Sequence, residues 1–311
     1  VGLGFIGVII ISKPGFDNLN FYYVYPIIFC IGFAGVSILI RKLTLAGEPV
    51  WLIAFYFSLV SGLGGLLTIP LGLWKMPNAY FNVNAQGTIN LFESVRSTNI
   101  NPKILVSCTP EEFGDVKKEN LPITEETILS PVNHYAASKV AQEAICQSYF
   151  ASYKMRIVRC RAFNHEGPRR DVNGAIASFS YQIARIENNL QKNVIQVGNL
   201  GAKRNFTHVI DMVKAYNLAM EKGKDGELYI ISSNMIYTIK EVLEKLIKLS
   251  NNKKITYKVE ASRVRPTELN YLVADCKKFI NLTNWKYQKT MDDILKDTLE
   301  YWRTFVKEKL Y

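Results

Sequence analysis

The chain has two textures. Residues 22–40 run for nineteen positions without a charge and residues 50–74 for twenty-five, each enough to cross a hydrocarbon layer of about 30 Å as a helix. Aromatic residues gather near their ends (Tyr22, Tyr25, Trp51, Trp74), while Arg41, Lys42 and Lys75 sit just outside. Small residues such as Gly32, Ala34 and Gly35 let helices approach closely. Two membrane-spanning helices are expected. A third apolar run, residues 1–12, has neither a leading Met nor a charged n-region, so it reads as the end of a helix begun upstream rather than as a signal peptide. After Pro77 the pattern changes. Residues 84–96 carry apolar positions at helical spacing, 103–107 (KILVS) form a short buried-strand run, 134–153 read as a long helix and 156–160 as a second strand. Ile239–Leu249 and residues 291–307 read as amphipathic helices. Alternation of this kind predicts an α/β domain around a parallel sheet over residues 78–311.

Composition sharpens the division. Of 38 basic and 27 acidic residues among 311, only four basic (Lys13, Arg41, Lys42, Lys75) and two acidic (Asp17, Glu48) fall in residues 1–77. The net charge of +11 is spread among acids with no basic block interleaved with aromatics, so no nucleic-acid partner is expected. Five cysteines, odd in number and widely spaced, predict neither a disulfide framework nor a zinc site and place the polar part in a reducing compartment. Three histidines without ligand spacing predict no metal. Gly2, Gly4 and Gly7 spell Gly-x-Gly-x-x-Gly, but no strand precedes them and apolar runs follow, so they read as coincidence rather than a nucleotide turn.

The string GFIGVIIISKPGF and the apolar runs after it resemble part of an EamA-like drug/metabolite transporter. The resemblance implies attachment to a membrane through residues 1–74, with the polar part on the cytoplasmic side. Two or three helices are too few to enclose a substrate path between repeats, so transport by this segment alone is not expected.

Tyr135 and Lys139 stand one helical turn apart, so phenol and ammonium share a face. A nearby ammonium favours phenolate and is expected to lower the tyrosine pKa towards the range useful for acid/base work. By themselves such pairs are common on solvated helix faces. Here a strand ending in VSCTPEEFG precedes them and one ending in RAFNHEGPRR follows, and ligands of open α/β sheets bind beyond the carboxyl ends of strands.

These strings resemble the extended short-chain dehydrogenase/reductases and, within them, the GDP-mannose 4,6-dehydratases. FNHEGPRR differs by one residue from the dehydratase string FNHESPRR, and VGNLGAKRNFTHVIDMVKAY and RPTE at 265–268 follow the same pattern. The GDP-4-dehydro-6-deoxy-mannose reductases share several of these strings and stay open as an alternative, as do other nucleotide-sugar epimerases. The resemblance implies NADP as cofactor, a GDP-sugar substrate and a homo-oligomer. It makes Tyr135 the acid/base at the sugar O4, with Lys139 on the nicotinamide ribose, Thr109 on O4 and Glu111 as the base at C5. It makes His165 and Arg170 cofactor contacts, and Asn164, Arg204, Arg265 and Glu268 substrate contacts. Three positions depart from the pattern: Pro110 for a small polar residue, Phe113 for tyrosine and Asn205 for aspartate. A larger departure is that apolar runs stand where the family has its glycine-rich cofactor half. The expectation is therefore an incomplete Rossmann-like parallel sheet with a small C-terminal substrate domain, preceded by an α-helical transmembrane fragment. Such a chimera, joined near residues 75–80, is expected to bind cofactor weakly or not at all, as an inactive remnant would.

Overall fold

The computed structural model describes residues 77–98, 100–264, 267 and 269–309. The two apolar spans, the Gly2-Gly4-Gly7 string and the transporter-like segment lie outside the described residues. Among the described residues no helix is long and apolar enough to cross a membrane.

The chain enters through α1 (Pro77–Phe81), a turn of π-helix (Asn82–Gln86) and α2 (Gly87–Ser97). It continues through β1 (Ile104–Cys108), a 3-10 turn (Pro110–Phe113), α3 (His134–Tyr153), β2 (Ile157–Ala162) and β3 (His165–Glu166). Next come α4 (Ala175–Glu187), β4 (Val194–Val197), β5 (Lys203–Asn205), β6 (Thr207–His208), α5 (Val209–Lys222), β7 (Leu228–Ile231) and β8 (Ile236–Thr238). The last elements are α6 (Ile239–Leu249), β9 (Thr256–Val259), β10 (Tyr271–Leu272), α7 (Lys277–Thr283) and α8 (Met291–Glu308).

Three parallel strands in the order β1-β2-β7 form the central sheet, registered Ile104 to Ile157 and Arg159 to Leu228. The middle strand is almost wholly buried because helices cover both faces, as a parallel sheet requires. On one face Phe92 of α2 and Cys146 of α3 pack on Val106, Cys108 and Ile157. On the other, Met212, Ala215 and Ala219 of α5 meet Val158, Cys160 and Ile231. The expected α/β layering with a parallel Rossmann-like sheet is what the described residues adopt, and among them β1 is an edge strand. A second core gathers α4, α6 and α8 around Ile195 and Val197 of β4.

Element boundaries follow local chemistry. The helix expected at 84–96 is wound as a π-turn before Gly87, a feature that often marks functional sites. Thr290 and Thr238 close capping boxes with Asp293 and Glu241, fixing the starts of α8 and α6. Asn133 caps α3 through its side-chain oxygen, which accepts from the Ala136 N–H at 2.8 Å.

Candidate active site

Beyond Cys108 the chain leaves the sheet at Thr109, whose extended backbone (φ −135°, ψ 146°) starts the 3-10 turn. Thr109 Oγ1 accepts from Glu111 N, while Thr109 N donates to Glu112 Oε1 at 2.9 Å. Pro110 occupies the first helical position, where a missing N–H costs nothing and a fixed φ helps, so that departure suits the turn. The turn also separates two adjacent carboxylates. Glu111 lines a cavity, whereas Glu112 is fully buried beneath it. Phe113 is buried as well, with the Arg161 guanidinium 4.9 Å from its ring centre, and its surroundings are apolar and cationic. Gly114 then turns back with φ 67°, and a Cβ there would collide with Ser130 O.

The cavity, about 930 Å³, opens at the carboxyl ends of β1 and β2. One wall carries Thr109, Glu111, Tyr135 and Lys139. The Thr109 side chain favours the ionised form of the Tyr135 phenol, and the Tyr135 ring meets Tyr80 edge-on at 5.7 Å between centres. Asn133 Nδ2 donates to Glu111 Oε2 at 2.9 Å. Lys139 Nζ donates to Ser107 O at 3.0 Å and to Gln142 Oε1 at 2.9 Å. The sequence expectation of a depressed tyrosine pKa is corrected here. Burial pushes the phenol above an ordinary tyrosine, the Thr109 side chain relieves it in part, Glu111 and Glu112 raise it further, and the opposing cation is Arg170.

The segment after β2 forms the floor. Asn164, His165, Glu166 and Arg170 all line the cavity. His165 Nδ1 lies 3.0 Å from Phe163 O, and burial with Arg170 nearby holds the ring below an ordinary histidine, hence neutral. Burial lifts Glu166 to about 7 against the pull of Arg170, whose Nε is 3.9 Å away. Asn164 Oδ1 and Glu166 Oε2 are buried without a hydrogen-bond partner. Such orphaned acceptors suit a ligand rich in hydroxyl or N–H donors.

The far wall holds Arg204 and Arg263. Arg204 donates to the carbonyls of Lys203, Leu269 and Asn270, so it ties that wall together in addition to facing the cavity. Arg263 Nη1 reaches Ser178 Oγ at 3.4 Å. Arg265 and Glu268 lie outside the described residues. Asn205 is fully buried, donating to Ser233 O at 2.6 Å and accepting from Ala274 N at 2.9 Å. An aspartate could not do both.

Cys108, Glu112 and Glu143 bring three potential ligand atoms within 4.8 Å of one another beneath the site. Arg161 claims the carboxylates instead, with Nη2 and Nε on the two Glu143 oxygens at 2.6 and 2.9 Å and Nε 3.4 Å from Glu112 Oε2. Burial also drives the Cys108 thiol upward, away from the thiolate a metal needs. The trio belongs to a buried ion-pair network.

The sequence profile of GDP-mannose 4,6 dehydratase matches residues 70–298. The chain belongs to this family. It is 30% identical over 236 residues to the GDP-6-deoxy-D-mannose reductase of Pseudomonas aeruginosa, covering 76% of this chain and 77% of that one. It is 26% identical over 239 residues to the GDP-mannose 4,6 dehydratase of Cricetulus griseus, covering 70% of this chain but 63% of the dehydratase. The solved structure of RMD from Pseudomonas aeruginosa complexed with NADPH superposes with a TM-score of 0.69 at 28% identity, over 75% of this chain and 77% of that one. The chain thus spans less than two thirds of the Cricetulus dehydratase. Within the family frame, the fold brings eight of the ten residues singled out from sequence to one cavity. Asn133, Gln142, Arg263 and the Tyr216 hydroxyl, 2.9 Å from Ser107 Oγ, were not singled out. For Arg263 the signal was its place two residues before Arg265. For the two amides there was none, because an amide that only caps a helix or meets solvent and one that orients a neighbour look alike in sequence.

Proposed function

We propose that this chain acts on a GDP-hexose in the manner of a GDP-mannose 4,6-dehydratase. The observation that carries the reading is the shared wall of Thr109, Glu111, Tyr135 and Lys139, with Arg170, Arg204 and Arg263 around the rest of the cavity. Guanidinium groups donate in pairs to a diphosphate, and the orphaned oxygens of Asn164 and Glu166 suit sugar hydroxyls. In this reading the ionised form of Tyr135 takes the proton from the C4 hydroxyl while Thr109 holds that oxygen, the phenol having first given up its own proton. The Glu111 carboxylate removes the C5 proton and delivers it to the departing C6 oxygen, so that water leaves across C5–C6. An alcohol-to-ketone step needs a hydride acceptor, and the relatives point to NADP.

The described residues fit its nicotinamide end, where Lys139, Tyr135 and His165 line one cavity. Among the described residues no strand runs through a Gly-x-Gly-x-x-Gly turn into a helix to take the adenosine diphosphate end. The cofactor supplies hydride exchange between C4 and C6.

Incubation of the full chain with GDP-mannose and NADP is expected to yield a product lighter by one water in mass spectrometry. Tyr135→Phe is expected to slow it by about 10²-fold or more, the usual worth of a positioned acid/base. No loss of water would sink the reading. The 30% identity to a reductase supports a second reading, in which GDP-4-dehydro-6-deoxy-mannose is reduced with NADPH. Glu111→Gln separates the two, because elimination needs a base at C5 and ketone reduction does not. Membrane attachment through residues 1–74 is part of the proposal, supported by their apolar runs. Recovery of the full chain in the soluble fraction would refute it.

A further inference from the structure

We propose that Asn133 and Gln142 are positioning residues that hold the two charged members of the site through opposite ends of neutral amides: the N–H₂ of Asn133 for Glu111, and the carbonyl of Gln142 for Lys139. The proposal deepens the dehydratase reading and rests on it for its rate predictions. Its geometric part stands alone.

The orientation of each amide is fixed by its other end. Asn133 Oδ1 accepts the Ala136 N–H at 2.8 Å as the α3 cap, so Nδ2 is the atom turned to Glu111 Oε2 at 2.9 Å. Gln142 Nε2 donates to Thr88 Oγ1 at 2.8 Å, and Thr88 has already given its own proton to Asn84 O at 2.7 Å. Gln142 Oε1 is therefore the atom that receives Lys139 Nζ at 2.9 Å. A reversed amide in either place would face acceptor to acceptor or donor to donor.

The same π-turn that supplies Asn84 O also sends Asn84 Nδ2 to Ser138 Oγ at 2.9 Å, and Ser138 Oγ donates to Tyr135 O at 2.7 Å. One polar seam between that turn and α3 thus sets the axial phase of Tyr135 and the reach of Lys139. Neutral amides suit the task, because they orient a carboxylate and an ammonium without a further full charge beside the phenol.

Two measurements test this. In ¹H–¹⁵N spectra of the full chain, the side-chain amide signals of Asn133 and Gln142 are assigned by their disappearance in Asn133→Ser and Gln142→Leu. The Asn133 signals are expected to move in Glu111→Gln, and those of Gln142 in Lys139→Met. Signals indifferent to those changes would overturn the proposal whether or not the chain is active. In turnover with GDP-mannose, Asn133→Ser keeps a capping oxygen and loses the donor. It is expected to lower kcat about tenfold with KM held within about twofold. Gln142→Leu is expected to do the same, and Gln142→Glu, which keeps an acceptor for Lys139 but adds a charge and loses the donor to Thr88, to restore the rate only in part. Wild-type kcat and pH profile in both Asn133→Ser and Gln142→Leu would also overturn it. If the amide signals respond but GDP-mannose is never dehydrated, the dehydratase reading fails and the geometric assignment stands.

Discussion

Tyr135 carries the chemistry proposed here, and its environment runs against the simplest account of a Tyr-x-x-x-Lys pair. The ammonium of Lys139 is spent on Ser107 O and Gln142 Oε1, while burial raises the phenol and Arg170 supplies the opposing charge. In ¹³C-tyrosine spectra of the ligand-free protein, the Tyr135 signal is expected to titrate above an ordinary tyrosine, and higher still in Arg170→Gln. Titration below the ordinary value would show that Lys139 governs it after all. The tyrosine and lysine were legible from residue types and spacing, and the threonine from the resemblance. The choice of Glu111 over Glu112 came only from the resemblance, because residue type and spacing do not separate them and the outcome depends on the 3-10 turn closing on itself through Thr109 and Glu112. The corrected direction of the tyrosine shift could not be read from sequence either, since desolvation depends on how deep a helix face lies.

At the scale of elements, β1, β2 and the helices α3, α6 and α8 were legible from periodicity, and α3 and α6 begin and end where their patterns do. The short strands β3 to β10 and the helices α4 and α5 were not read from the pattern. Nor was the start of α2, because a π-turn replaces regular winding before Gly87 without altering the apolar spacing. The loop between β1 and α3 depends on one position that patterning does not reveal. Gly114 combines φ 67° with the Ser130 carbonyl packed where any larger residue would put its Cβ. Gly114→Ala is expected to destabilise the fold by about 2 kcal/mol or more, read as a lower urea midpoint with unchanged slope. An unchanged midpoint would show that the loop can yield.

For the whole molecule, two buried acids tie stability to pH. Glu112 is held above the ordinary carboxylate range by burial and by Glu143, and Glu166 reaches about 7 by burial. Between an ordinary glutamate's 4.5 and those values, the folded chain keeps protons that the unfolded chain has lost. Stability therefore falls as pH rises through that window, by about 1.4 kcal/mol per pH unit for each proton retained. Urea midpoints measured from pH about 5 to about 7 are expected to decline, and Glu166→Gln to flatten the decline. A midpoint that rises with pH would contradict both assignments. The sheet-centred core was legible as strand and helix alternation, whereas the second core around β4 was not. The network of Arg161, Glu112 and Glu143 was not, because its members are scattered along the chain and meet only in the fold.

Asn205 shows how such a molecule becomes committed to its own history. Its amide stitches Ser233 to Ala274 by giving at one end and taking at the other. Restoring the aspartate of the related sequences would set a buried anion against a carbonyl oxygen. An exchange that reads as conservative on paper is thus closed to this chain unless Ser233 and its neighbours change in step.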